Sequence, residues 1–261
     1  MYRQLSIFGF IVVVKSNITI CSVVYNDRAT NLFDLMVRSV IKYTEPQPKF
    51  IICDNGGNDL EKYKSLKNFT IVSGSITKSK GSLQHGESLN KIVSLVETQN
   101  TAIIERDCVL LYKGWDQLLS NYKLVAAKKG IYKELSYYHI FFTIFTTEAL
   151  KGIDFRPGTN NRTNRNYKLH EDVGAKMGEL VPPSQIKLLD FIDCKSNKGN
   201  FFNNSFQSDE LHLDGTPICC HFGRGSNLSG KAIRHGFEHP QKQLIKWKEK
   251  VESLLGKEEE K

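Results

Sequence analysis

The sequence predicts an α/β domain, a mainly parallel central sheet flanked by helices, with a less regular second half. Three observations lead there. From Ile18 onward, short β-rich runs alternate with segments of helical periodicity, the pattern of parallel strands joined by crossover helices. At 261 residues the chain is long enough for one large domain with a real core and short for two. No internal repeat or linker-like stretch divides it.

Ile18 to Tyr25 is the first strand, Asn26-Asp27-Arg28 a polar turn, and Leu32, Leu35, Met36, Val40 and Tyr43 share one face of the helix that follows. Glu45-Pro46-Gln47-Pro48 ends that helix, because proline has no N–H to continue it. Lys49 to Cys53 is the second strand, and Asp54-Asn55-Gly56-Gly57-Asn58-Asp59 is a turn able to cap a helix beginning near Leu60. Phe69 to Ser73 is the third strand. After a Gly/Ser/Lys loop, Leu89, Ile92, Val93 and Val96 mark another amphipathic helix, and Thr101 to Ile104 forms a fourth strand running directly into Glu105-Arg106-Asp107.

Farther on, Trp115, Leu118, Leu119 and Tyr122 fit a short helix, and Tyr137 to Phe145 is an aromatic-rich strand. Arg156 to Lys168 is a polar loop. Pro240 opens the last helix, which buries Leu244, Trp247, Val251 and Leu254 before Gly256 stops it. The expected organisation is an extension or edge segment over 1–17, one domain over 18–256 and a charged tail over 257–261.

Composition excludes several classes. Hydrophobic residues at 40% and charged residues at 25% describe an ordinary globule rather than a disordered chain. The net charge of +8 suits a polyanion, but the lysines are scattered and no basic block is interleaved with aromatics. Nucleic acid is therefore a secondary reading. The six cysteines show no C-x-x-C pair, which argues against a zinc knuckle or a disulfide framework and for reduced, buried thiols in a cytoplasmic protein. The apolar stretch from Leu5 to Val14 is too short to span a bilayer, and no small-residue cleavage site follows it; it reads as an extra segment or edge strand before a soluble domain, with a signal peptide or weak membrane anchor as the alternative.

In an open α/β sheet, ligands gather outside the carboxyl ends of the strands. Three such ends are acidic here: Asp27, Asp54 and Glu105 with Asp107. Each alone reads more readily as a turn or cap residue; their recurrence points to a site. Gly81 to Asn90, ahead of the third of these ends, reads either as a helix start whose amides face a phosphate or as a Gly-rich turn with a serine cap. His85 within it is not read as a metal ligand.

The succession of strand-Tyr25-Asn26, Ile52-Cys53-Asp54-Asn55-Gly56-Gly57-Asn58-Asp59 and Ile104-Glu105-Arg106-Asp107 resembles the donor half of GT-A glycosyltransferases, in particular the inverting, family 2-like nucleotide-sugar transferases. The resemblance covers Ile18 to Trp115 and weakens toward Asn227. It implies a Rossmann-like GT-A sheet, a nucleoside-diphosphate sugar as donor, a glycan or glycoconjugate hydroxyl as acceptor, and a divalent cation, Mn2+ or Mg2+. By the same resemblance Tyr25, Asn26, Asp27, Arg28 and Arg106 lie along the nucleotide, Asp54 holds the base, Glu105 faces the ribose and Asp107 binds the cation. Glu105 stands where the family more often has Asp.

The segment Tyr167 to Gly174 resembles the acidic patch that supplies the general base, with Asp172 first and Glu171 second, whereas acids such as Asp209 and Glu210 sit beside helix or turn patterns. Cys219 to Asn227 resembles the late segment that returns to the metal, through His221, and to the diphosphate, through Arg224. Alone, His221 reads more readily as a structural histidine. Two rival functions are a nucleotidyltransferase making nucleotide sugars, disfavoured because Asn26-Asp27-Arg28-Ala29-Thr30 carries no glycine, and a non-catalytic binding module on the same fold. A transferase acting on modified DNA bases is a further variant of the main reading.

Overall fold

The computed structural model describes residues 17–28, 30–74, 81–132, 135–157, 173–174, 176–193, 208–222 and 240–256. Their elements are β1 (Ile18–Val24), α1 (Leu32–Tyr43), β2 (Lys49–Asp54), α2 (Glu61–Lys64), β3 (Phe69–Ser73), α3 (Ser82–Val93), β4 (Asn100–Ile104), β5 (Cys108–Leu110), β6 (Leu124–Tyr132), β7 (Leu135–Thr146), α4 (Met177–Leu180), β8 (Ile186–Ile192), β9 (Ser208–Leu213), β10 (Thr216–Phe222) and α5 (Pro240–Leu255). Ten strands form one sheet in the order β3-β2-β1-β4-β7-β6-β8-β9-β10-β5.

The strands expected in the first half pair in parallel, β1 with β2 and β4, and β2 with β3. From β7 onward the pairing is antiparallel except between β6 and β8. Alternation along β1 divides the core: Ile20 and Val24 pack with Phe33, Met36 and Val40 of α1, whereas Cys21 packs with Leu89 and Ile92 of α3. Only Glu105, Arg106 and Asp107 separate β4 from β5, so the far edge of the sheet curls back beside its middle. There Val109, Cys220 and Phe222 close over Leu32 and Leu35 of α1 and Trp247 of α5. Helix α1 is thus buried on more than the single expected face: Leu32 and Leu35 lie under this second cover, Phe33 and Val37 pack with Ile20 and Val24, and Ser39 Oγ accepts from Leu110 N of β5 at 3.0 Å.

Several boundaries differ from the sequence expectation. Val96 lies past the end of α3, and the turn at Trp115 is one 3-10 turn over Trp115–Gln117. The Asp54 turn does not cap α2, whose cap position is Leu60 with no side-chain hydrogen bond. The last helix buries Leu244, Trp247 and Val251 as expected and ends at Gly256 in the left-handed region at φ 81°, whereas Leu254, also expected inside, is only half-buried. Its final carbonyls accept from α1: Lys42 Nζ reaches Leu254 O at 2.7 Å and Arg38 Nη2 reaches Gly256 O at 2.9 Å.

One irregularity bears on the site. Ala126 pairs with Thr143 and Lys128 with Tyr138, so the four residues His139 to Phe142 of β7 stand against Ala127 alone. A bulge of this kind bends the strand and redirects its side chains. Among the described residues no helix is long and apolar enough to cross a membrane.

Candidate metal centre

The parallel register aligns Val24 with Asp54 and Asp54 with Ser73, so the turns after β1, β2 and β4 emerge at one edge. The first two turns are hydrogen-bonded together. Asn26 N donates to Gly56 O at 2.8 Å, Arg28 N to Gly57 O at 3.2 Å and Asp27 N to Asn58 Oδ1 at 2.8 Å. Asp54 Oδ1 holds the second turn by accepting from Gly56 N at 2.8 Å and Asn58 Nδ2 at 2.5 Å. Gly57, at φ 74°, lies so close to Asn26 that a Cβ would come within 3.1 Å of its Cα. Tyr25 stands out from this platform, 56% exposed, and Arg28 is exposed beside it.

Asp27 and Arg106 form a buried ion pair at 2.6 Å. Asp27 Oδ1 also accepts from Leu32 N at 3.0 Å and Thr30 Oγ1 at 2.6 Å, and its Oδ2 from Phe33 N at 3.0 Å. It therefore caps α1, whose own cap position, Asn31, makes no side-chain bond. Expected along the nucleotide, both side chains are turned into the fold.

Glu105 N donates to Phe141 O and Cys108 N to Glu105 O, both at 2.9 Å, closing a tight turn. Arg106 points from it toward Asp27, while Glu105 and Asp107 project together toward β10. There His221 pairs in register with Cys108 of β5, and Phe222 N donates to Asp107 O at 2.8 Å. His221 Nε2 lies 3.2 Å from Asp107 Oδ1 and 3.6 Å from Glu105 Oε2. The ligand atoms of the three residues fall within 4.8 Å of one another. His85, at the start of α3, brings Nδ1 to 4.0 Å from Glu105 Oε1. Gly81 occupies the cap position of α3 with no side-chain hydrogen bond, so the serine-cap alternative is not realised.

Burial alone would raise the Asp107 carboxyl, but His221 and Arg106 outweigh it and hold it below the ordinary range. Burial likewise opposes charge on His221, yet Asp107, with Asp209 and Glu105, raises it well above its usual value. The Phe141 ring lies flat against the imidazole, 4.4 Å between centroids and 7° between planes.

Two carboxylates and one imidazole suit a divalent cation with oxygen and nitrogen preference, such as Mn2+, and Mg2+ less well because of the nitrogen. The residues fit in a second way. Three polar side chains are held at ligand spacing at the end of an otherwise apolar strand pair, an arrangement with a large like-charge cost unless a cation or proton lies among them. Glu105, expected at the ribose, lies with Asp107 and His221 in the one group of ligand-type side chains among the described residues that could hold a cation.

Asp172, Glu171 and Arg224 lie outside the described residues, as do the 1–16 segment and the 257–261 tail. Sequence reasoning passed over Phe141 and Asp209. Phe141 sits within the aromatic run but its position in the bulge is invisible in the pattern, and Asp209 is the cross-strand partner of His221 in β9.

No protein-family profile matches the chain, and no curated protein matches it in sequence. Solved structures match it in fold. The galactosyltransferase LgtC in complex with donor and acceptor sugar analogs aligns with a TM-score of 0.53 at 11% identity, over 93% of this chain and 98% of that one. Mannosyltransferase PcManGT from Pyrobaculum calidifontis, in complex with GDP-Man and Mn2+, gives 0.40 at 13% identity, over 52% and 46%. S. aureus TarS 1-349 gives 0.46 at 16% identity, over 66% and 57%. The chain spans about half the length of the last two. At these identities the likeness is one of fold, and the fold is that of the GT-A glycosyltransferases.

Proposed function

We propose that the chain is a metal-dependent glycosyltransferase that moves a sugar from a nucleoside-diphosphate sugar to a hydroxyl of a glycan or glycoconjugate, with inversion. The observation that carries the reading is the convergence of Glu105, Asp107 and His221 at the carboxyl edge of a GT-A sheet. These three residues hold the cation. When bound, it offsets the charge that develops on the departing diphosphate. The interlocked turns after β1 and β2 then receive the nucleoside, with Asp54 on the base and Tyr25, Asn26 and Arg28 beside it. Asp27 and Arg106 act from behind, by fixing the turn that carries Glu105 and Asp107. Arg224 neutralises phosphate, and Asp172, with Glu171 as second choice, takes the proton of the acceptor hydroxyl. The five described cysteines, all free and buried, fit a cytoplasmic setting.

Calorimetry of UDP and GDP with and without Mn2+, on the parent and on Asp107→Ala, tests the reading. The parent should bind at least one nucleotide more tightly with Mn2+, and Asp107→Ala should lose that gain. Nucleotide affinity indifferent both to Mn2+ and to Asp107→Ala would refute it. The anomeric configuration of the product, read by NMR, decides inversion, and Asp172→Asn should cut turnover by about 10²-fold while sparing donor binding.

A further inference from the structure

His221 is held on two sides. Phe141 covers one face of the ring and fixes its plane, and Nε2 looks toward Asp107 and Glu105. A fixed plane does not choose between the two nitrogens, because a half-turn of the ring keeps the stacking and exchanges the edges. What faces the other edge decides. His221 Nδ1 is buried and has no hydrogen-bond partner within reach. The polar atom nearest it among the ion pairs is Asp209 Oδ2 at 3.7 Å. The sheet itself puts it there, since Asp209 of β9 is the residue in register with His221 of β10. Directly paired residues of neighbouring strands present their side chains on one face.

An imidazole that binds a metal through one nitrogen carries its proton on the other, and a carboxylate accepting that proton fixes both tautomer and orientation. The 3.7 Å separation is about 0.8 Å longer than such a hydrogen bond, a distance that a small side-chain rotation of Asp209 closes. We propose that Asp209 is a positioning residue for the cation: its carboxylate accepts the Nδ1 proton of His221 and so commits Nε2 to the metal shared with Glu105 and Asp107. The inference rests on the metal reading made under the proposed function. It adds a residue whose local sequence pattern carries no ligand signature.

The test is Mn2+ binding to the nucleotide-free protein, followed through the electron paramagnetic resonance signal of free Mn2+. Asp209→Ala should weaken affinity by roughly 10- to 100-fold. Asp209→Asn should fall between it and the parent, because its amide oxygen still accepts the proton but without the charge. In a His221→Ala background, Asp209→Ala should have no further effect, which a merely structural role for Asp209 does not predict. Affinity in Asp209→Ala within twofold of the parent overturns the proposal. If that variant does not fold, Asp209→Asn decides by the same limit. A parent that binds no Mn2+ sinks the metal reading and this one together, whereas unchanged binding in the Asp209 variants sinks this one alone.

Discussion

Replacing Asp27 by alanine should unfold the protein at much lower urea concentration while leaving its ligand chemistry a secondary casualty. The carboxylate receives two backbone N–H groups of α1 and the Thr30 hydroxyl, and it neutralises Arg106 at 2.6 Å, with only 7% and 8% of the two side chains exposed. Loss of a helix cap costs about 1 kcal/mol. Leaving a buried guanidinium without its partner costs about 3–5 kcal/mol. Because Arg106 keeps a bond to Thr30 Oγ1 at 3.2 Å, the low end is the better guide, and a total loss of about 4 kcal/mol follows. That is a large share of the roughly 5–15 kcal/mol typical of a folded domain. Asp27→Asn combined with Arg106→Met keeps an oxygen for the amides and removes the buried charge, so it should lose only about 1–2 kcal/mol. Urea denaturation of the parent, Asp27→Ala, Asp27→Asn, Arg106→Met and the double variant, followed by tryptophan fluorescence, gives the loss and the cycle. A single-variant loss below about 1 kcal/mol, or a double variant as unstable as the two single changes summed, would refute the assignment of Asp27 to the fold.

Two further outcomes are expected. Gly86→Ala should destabilise the protein by about 1–3 kcal/mol in the same assay, although alanine is the better helix former, because the added Cβ would meet Arg156 Cα at 2.6 Å and Phe155 O at 2.7 Å; a gain in stability would contradict that packing. Burial, with help from Lys129, lowers the His139 pKa to about 4, below the roughly 6.5 of an unfolded chain. The unfolded state then binds a proton that the folded state does not between those values, so stability present above pH 6.5 is lost as pH falls toward 4. His139→Phe should therefore flatten the stability profile, removing about 2 kcal/mol of the change between pH 7 and pH 5, and an unchanged slope would rule it out.

The parallel half was legible because its strands are short apolar runs punctuated by turns. Ile18 to Val24, Lys49 to Asp54 and Phe69 to Ser73 needed no tertiary information. The second half was not, for physical reasons that differ from strand to strand. Cys108–Leu110 is three residues long and is a strand only because β10 pairs with it. Along β6, Lys128, Lys129 and Gly130 interrupt the apolar pattern where the strand extends past β8 and is paired with β7 alone. Ser208–Leu213 reads as polar because Asp209 faces His221 while Glu210 and His212 bury a hydrogen bond of 2.7 Å on the opposite face. At the site, the acids at strand ends could be named from sequence, but not their division of labour. Asp27 and Asp107 look alike as strand-end acids, and only the tertiary structure separates them: the α1 amides, Thr30 and Arg106 hold the first in the core, and β10 brings His221 to the second.

The bulge in β7 makes strand length a variable of the chemistry. Four residues cover the distance that Ala127 covers alone, and among them is Phe141, whose carbonyl accepts from Glu105 N and whose ring stacks on the imidazole of His221. Shortening β7 there would leave Glu105, Asp107 and His221 in the sequence but would shift the strand that carries the ring stacked on His221, and the ladder would still hold its second irregularity at Lys129, where Lys128 pairs with Tyr138 and Gly130 with Tyr137. In this strand, a change in chain length is therefore felt at His221 even though no residue of the Glu105, Asp107 and His221 group is altered.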